Sequence, residues 1–427
     1  MAKILLISPN MEKNPLIFPL GLGYIRSALV NAGFDARIVD FGHVKFQKET
    51  MERFLVEFRP DFIGVSIRNL DNCCMRHPRS FVCQVQTVIR WIREWNSGVP
   101  VILGGSGFSL LPLQWLNVTG SDYGIIGDGV RSFPLLIEKL LGEKPLENIP
   151  GLVYYKGGKL FRQGPDKESG LDSAPYPSRD GFLHELSSDI KVRHNVQTKR
   201  GCGLKCLYCA YPYLEGTCVR LRSPPRVADE IYQMKEVYGI REFDFVDSVF
   251  NVPMEHGEEI CREIISRKLD MSWGCFLHPS YISEDFLKLL KRAGCTSIEF
   301  GIDSGSEKCL RAMGKSFGKT EIRRAAHLCK LAKIDFNFCL LFGGPEETME
   351  TLKDTLQLME ECEVDNLFGL FGVRILPNTA LFNSKFGGMS LDELLEPKFY
   401  FSEQLNIEEA LDEIMTYKKR HAGWVIV

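Results

Sequence analysis

The stretch "TKRGCGLKCLYCAYP", Thr198–Pro212, gathers Cys202, Cys206 and Cys209 on a loop punctuated by Gly201 and Gly203. Three thiols are an odd number for disulfides and one short of a closed structural zinc site. The residues just upstream, "HNVQTKRG", read as a strand, so the thiols follow a strand's carboxyl end. On residues alone three readings stand: zinc completed by a water, a set of unliganded core thiols, or a 4Fe-4S cluster with one iron left open. Short zinc loops favour C-x2-C pairs with histidine partners, and the one histidine nearby, His194, sits upstream on the strand. Cys218, further along, is the remaining candidate for a fourth protein ligand.

Working outward, "HNVQTKRG", "EFDFVDS", "SWGCFL", "SIEFGID", "IDFNFCLLFG" and "NLFGLFGVRIL" read as six strands, the later ones separated by amphipathic helices. Six β/α units in a row predict a partial (β/α)6 TIM barrel, since a closed one has eight, and the cysteine loop falls on the face where barrel active sites lie. The first half alternates too: residues 2–8, 34–41, 61–66, 99–105 and 123–127 read as strands. The helical run "LGLGYIRSALVNAG" places Ile25, Leu29 and Val30 on one face and stops at Gly33. Strands joined by helices imply a parallel, doubly wound, Rossmann-like sheet that binds ligands at its strands' carboxyl ends. Those ends are "SPN" (8–10), "SIRNLDN" (66–72), "GGSGFS" (104–109) and "GDGV" (127–130), rich in residues that let a backbone approach a polar ligand. A hairpin is expected at Gly157–Gly158, within a polar connector. The α/β chain thus divides into 1–175, 176–380 and an irregular C-terminal appendix, 381–427, docked by Phe399–Tyr400–Phe401.

With 52 basic and 55 acidic residues, net charge −3, the composition argues against a nucleic-acid binder working through a broad basic face. No apolar run reaches the roughly 18 residues of a membrane span, and the N-terminus lacks a signal-peptide pattern. A cytoplasmic protein is expected. There, Cys261, Cys295, Cys309, Cys329 and Cys362 read as small, reduced, buried hydrophobes.

C-x3-C-x2-C with Tyr208 before the last cysteine resembles the radical S-adenosylmethionine (SAM) enzymes. So do, in order, "RLRSPPRVADEI", "EFDFVDSVF", "IEFGIDSGSEKCLRAMGK", "LLFGGPEET" and "RILPNTALF". The resemblance implies a 4Fe-4S cluster on Cys202, Cys206 and Cys209, with SAM on the open iron cleaved to a 5′-deoxyadenosyl radical. It implies SAM contacts from Tyr208, Asp247, Asp303 and Ser304, and a reducing partner such as flavodoxin or ferredoxin. Asp303 stands where glutamate is commoner in the family. The lesser alternative is that Asp and Ser there cap the helices that follow. Lys315 can reach a carboxylate but reads more readily as a solvated lysine, and "LFGGPEET" reads as a turn shaping the barrel rim.

The N-terminal unit is similar to the cobalamin-binding domain of one radical SAM subfamily, through "FPLGLGYIRSALVNAGFDARIVD", "LGGSGFS" and "IIGDGVRSF". This implies cobalamin held by Ser66, Ile67, Arg68, Gly104, Gly105, Ser106, Gly107, Gly127, Asp128 and Gly129. No D-x-H-x-x-G occurs, and "DFGH" (40–43) is not that motif. Asn69, Asp71 and His77 are candidate ligands or water anchors at the cobalt's lower face, with Arg68 working against ligation. Adjacent Cys73 and Cys74 read as buried packing. The implied activity is cobalamin-dependent methylation of an unactivated carbon of a small-molecule substrate. The alternative is a vestigial cobalamin domain, with a dehydration, rearrangement or aminocarboxypropyl transfer at the barrel.

Overall fold

Continuous apolar runs such as "ILLI" at Ile4–Ile7 can be satisfied only where a strand is covered on both faces, and that dictates a buried parallel sheet. A computed structural model, which describes residues 1–12, 15–166, 170–180 and 192–427, shows this sheet. The connector residues 167–169 and 181–191 lie outside the described residues.

The chain separates into two units, one of residues 1–72, 80–194 and 390–396, the other of 73–79, 195–389 and 397–427. In the first, β1 (Lys3–Ser8), β2 (Asp35–Asp40), β3 (Phe62–Ser66), β4 (Val101–Gly104) and β5 (Tyr123–Ile125) lie in the spatial order β2-β1-β3-β4-β5, all parallel. The five strands are those expected. An antiparallel hairpin, β6 (Leu152–Lys156) and β7 (Lys159–Arg162), extends the sheet beyond β5. It turns at Gly157 and Gly158, both at positive φ. Helix α1 (Leu20–Asn31) buries Leu22 and Leu29 against the sheet and stops before Gly33 at φ 85°. Val30, expected on the same face, is instead 47% exposed.

In the second unit seven parallel strands follow one another around a partial barrel: β8 (Val192–Val196), β9 (Glu242–Phe245), β10 (Ser272–Phe276), β11 (Cys295–Asp303), β12 (Asp335–Phe342), β13 (Asn366–Phe371) and β14 (Trp424–Ile426). One face of each strand packs outward: Phe243, Phe245, Trp273, Cys275, Ile298, Phe300, Phe338 and Leu340 join the helices in one core. The other face lines the concave interior. Cys261, Cys295, Cys309, Cys329 and Cys362 are all buried, as expected.

The C-terminal segment is not irregular. Helix α2 (Ile407–Arg420) and β14 form a further β/α unit, with β14 parallel to β13. The two strong reporters, Trp424 and Ile426, are separated by one exposed valine, a pattern too short to identify from sequence. The aromatic run does dock: Phe401 lies against Gly343 and Gly372, where added Cβ atoms would come within 2.6 and 2.7 Å of its ring. No helix among the described residues is long and apolar enough to cross a membrane.

At the barrel rim Glu347 is fully buried and accepts the Gly343 N–H, which shapes the "GGPEET" turn. Burial raises its pKa to about 7, outweighing the bonds from Gly343 and Gly344. A carboxyl raised in the folded state contributes stability below its unfolded value, near 4.5, and loses it as pH climbs through about 7. The wild type is therefore expected to lose thermal stability relative to Glu347→Gln between pH 5.5 and 8, read from unfolding midpoints. A pH-independent difference between the two would be the contrary result.

Candidate functional site

The three thiols depend on a loop whose backbone is held from four sides. Gly201 sits at φ 96°, and a Cβ there would stand 2.2 Å from the Cys218 carbonyl oxygen. The Gly201 N–H donates to Glu215 Oε2 at 3.1 Å, and the Cys202 N–H to the Gly216 carbonyl at 3.0 Å. Leu207 is stapled twice, its N–H to the Met313 carbonyl at 2.9 Å and its carbonyl to the Leu381 N–H at 2.8 Å. The Cys209 N–H closes a turn onto the Cys206 carbonyl at 3.2 Å. All three cysteines are free and half-buried, whereas Cys218 is exposed.

Burial pushes the Cys209 thiol up to about 11, and it raises Cys206 against the opposing pull of Lys315. Such thiols stay protonated until a cation displaces the proton, which suits ligands better than nucleophiles. Among the described residues no three Cys, His, Asp or Glu side chains close on a single ion. One zinc would need its sulfurs about 3.8 Å apart for Zn–S bonds of about 2.3 Å, while thiolates on a 4Fe-4S cube each take a different iron. Three thiols on one braced loop, none in a disulfide, suit a cluster whose irons each take one thiolate.

Beside the loop, Tyr208, Asp303 and Lys315 form one buried network. The Tyr208 hydroxyl donates to Asp303 Oδ2 at 2.6 Å, and Lys315 Nζ meets the same oxygen at 2.7 Å and the Gly301 carbonyl at 2.9 Å. Asp303 ends β11 at φ 64°, a left-handed conformation unusual for a residue with a side chain. Of the two readings of Lys315, the carboxylate partner holds and the solvated one does not: its side chain is 7% exposed. Burial acts to lower its pKa, but the Asp303 carboxylate and the nearby thiols outweigh this and raise it. The sequence separates these partners by a helix, α3 (Glu307–Ala312), so no local pattern signals the pair.

Asp247 lies at the carboxyl end of β9, buried, and its carboxylate accepts the Thr198 N–H at 2.7 Å, the Thr198 hydroxyl at 2.5 Å and the Lys199 N–H at 3.2 Å. It thus braces the exit of β8 into the cysteine loop, and burial raises its pKa. Ser304 is buried and bonded to Thr355 Oγ1 at 3.1 Å and to the Ser306 N–H at 3.1 Å, so its hydroxyl shapes the turn into α3. Sequence reasoning missed Ser248, next to Asp247, whose buried hydroxyl has no partner among the described residues. It also missed Glu215, Lys199, and the buried Arg222–Glu230 ion pair at 2.8 Å, with Arg222 donating to the Gln197 carbonyl. The segment "RLRSPPRVADEI" carries Arg222 and Glu230 and was the available signal.

In the first unit the loops after β3, β4 and β5 meet at the sheet's carboxyl edge and bring the ten candidate residues together. The Ile67 N–H bonds the Gly104 carbonyl at 2.8 Å, and the Gly107 N–H bonds the Ile67 carbonyl at 2.9 Å. Ser109 joins the next loop, donating to the Gly105 carbonyl and accepting the Gly127 N–H at 2.9 Å. A Cβ on Gly105 would stand 2.5 Å from the Ile67 oxygen, and one on Gly107 would stand 2.9 Å from Asn69. These two glycines therefore answer to their neighbouring loop. Gly104, whose Cβ would meet nothing closer than 3.8 Å, and the exposed Ser106 and Arg68 leave the edge open. Asp128 accepts the Val130 N–H at 2.9 Å, Gly129 packs on Ile25, and Ser66 is half-buried. Asp71 is buried, and Asn69 and His77 are exposed. Cys73 is exposed at φ 51°, and Cys74 is only half-buried, so this pair is not core packing. In "DFGH" the His43 ring bonds Asp40 at 2.7 Å.

Residues 196–359 match the family model of the radical SAM superfamily, and residues 14–137 that of the B12 binding domain. The tryptophan 2-C-methyltransferase of Streptomyces laurentii is 27% identical over 445 residues, covering 89% of this chain and 74% of that protein. An uncharacterized methyltransferase of Pyrococcus horikoshii is 26% identical over 350 residues, 81% of this chain and 74% of its own. The fold is that of the radical S-adenosylmethionine methyltransferase TsrM from Kitasatospora setae, solved with cobalamin and a 4Fe-4S cluster bound. The TM-score is 0.87 at 22% identity, over 100% of this chain and 91% of that one.

The loop geometry makes a paired prediction. Gly201→Ala should lose most of the iron taken up on anaerobic reconstitution with iron and sulfide. Gly203→Ala, whose Cβ would meet the Thr217 oxygen at an ordinary 3.5 Å, should keep it. Iron analysis and the visible spectrum decide, and equal loading of both variants would contradict the account.

Proposed function

We propose that this chain, which belongs to the radical SAM superfamily and carries a B12-binding domain ahead of its barrel, is a cobalamin-dependent methyltransferase acting on a small molecule. The observation that carries the reading is the co-occurrence of both family models in one chain, collinear with a curated methyltransferase across 89% of its length. A vestigial corrin domain is disfavoured by the same relatives, which are methyltransferases by name.

Cys202, Cys206 and Cys209 would hold the 4Fe-4S cluster, and the absence of a fourth ligand on the loop leaves one iron for SAM. When bound, the cluster supplies a reducing electron and a Lewis-acidic iron to SAM, and the corrin supplies a carrier for the methyl group. The chain's own part is placement. Asp247 orders the entry to the cysteine loop through Thr198 and Lys199. Ser248, with an unpartnered buried hydroxyl beside it, is a polar contact for the amino acid end of SAM. Tyr208 is fixed by Asp303 and Lys315, so its ring is a rigid wall for the adenine, and Ser304 holds the turn behind it. In the first unit, the open edge formed by Ser66–Arg68, Gly104–Gly107 and Gly127–Gly129 would receive the corrin. A reductant such as flavodoxin or ferredoxin would recharge the cluster.

Reconstituted without oxygen with iron, sulfide and hydroxocobalamin, then desalted, the protein should retain roughly four irons and one cobalt per chain. Supplied with SAM and a reductant, it should release S-adenosylhomocysteine. Four irons with no cobalt would reject the methyltransferase reading and leave the non-methylating alternative.

A second outcome concerns the network. Removing one member of a buried ion pair costs about 3–5 kcal/mol, since the partner charge stays behind. Lys315→Met should lower the unfolding midpoint far more than the exposed Lys288→Met does.

A further inference from the structure

The concave face of the barrel carries polar and aromatic side chains beyond the candidate cofactor residues. Strand register places Phe276, Glu299, Asn337 and Asn366 side by side on one level, and Gly301, Cys339 and Phe368 on the next level toward the cysteine loop. Alternation turns these residues inward, because their neighbours Cys275, Ile298, Phe300 and Phe338 are in the outer core. The upper level lies directly under the Tyr208–Asp303–Lys315 network, since Lys315 bonds the Gly301 carbonyl.

Three features define what this wall can hold. It is rich in acceptors: Asn337 Oδ1 is buried without a partner, and the half-buried Glu299 carboxylate lies 3.9 Å from the Cys339 thiol. Burial, with the charges of Glu299 and Asp303, pushes that thiol up to about 12, so it stays protonated. Phe276 and Phe368 are each 37% exposed. Finally, a Cβ on Gly301 would meet nothing within 4 Å, which leaves room between the two levels. A buried acceptor without a donor is destabilising, a penalty that a ligand N–H removes.

We propose that Glu299 and Asn337 are the specificity-determining residues of the barrel, and that they select a substrate carrying an ammonium group on an apolar ring system. The carboxylate receives the cation, the Asn337 carbonyl takes an N–H, and Phe276 and Phe368 flank the ring. This rests on the barrel being the substrate-bearing half of the proposed methyltransferase.

The test uses the anaerobically reconstituted protein and two probes of matched ring, tryptamine and indole-3-propionate, in calorimetric titrations. Tryptamine should bind at least about tenfold more tightly than the acid. Glu299→Gln should reduce tryptamine affinity about tenfold or more and leave the acid unchanged. Asn337→Leu, which removes the acceptor and keeps the volume, should weaken tryptamine by roughly three- to tenfold. It serves as the second probe if Glu299→Gln loads less cluster than the wild type. Equal binding of the two probes, binding of neither, or wild-type affinity in both variants overturns the proposal. Cobalt content is measured on the same samples. Loss of cobalt would reject the methyltransferase reading while the titrations still decide the lumen, and intact cobalt with indifferent probes would reject the lumen alone.

Discussion

The buried pairing of Asp303 with Lys315 is the interaction on which the cysteine loop's surroundings depend. Two charges at the carboxyl end of β11 each lose several kcal/mol of hydration, and they are tolerated because each is the other's partner. The pair also fixes a third group. Tyr208, inside the cysteine motif, donates to the same carboxylate oxygen, so the loop is tied to the barrel wall by a side chain as well as by its backbone. Asp303 reaches both partners from a left-handed backbone, and the shorter aspartate suits that position.

A division of labour runs through the rest of the second unit. Side chains that looked like ligand contacts are mostly committed to holding backbone: Asp247 to Thr198 and Lys199, Ser304 to Thr355 and Ser306. Preorganisation of this kind is what a radical centre requires, because the protein's contribution is orientation and exclusion of water while the cofactors carry the chemistry. The groups left with free capacity, Ser248 Oγ and Asn337 Oδ1, are therefore the more informative ones. The glycines of the first unit teach the same lesson. Gly105 and Gly107 are small because the loop after β3 lies on them, and Gly104 is the glycine that leaves an open edge.

Much of this was legible in the sequence. The five strands of the first sheet, the six of the barrel, the hairpin at Gly157–Gly158 and the burial of five scattered cysteines all follow from apolar period and turn chemistry. The misreadings have separate causes. For Lys315 the sequence leaves a carboxylate partner and a solvated lysine both open, because the partner, Asp303, is brought to it by the reversal at Gly314, φ 77°. Cys73 was taken as packing because cysteine usually is, yet it sits at positive φ on an exposed turn. The C-terminal strand was missed because three residues are too few to show a period, and its pairing with β13 is what makes it a strand.

The sequence by itself determined the two α/β units and the loop of three thiols, because hydrophobic period and cysteine spacing are local properties that survive in one dimension. Only the tertiary structure decided which polar groups are spent and which are available. Whether Asp247, Ser304, Glu299 or Asn337 has capacity left for a ligand depends on donors and acceptors delivered by other strands, and strand register is not written in any single segment.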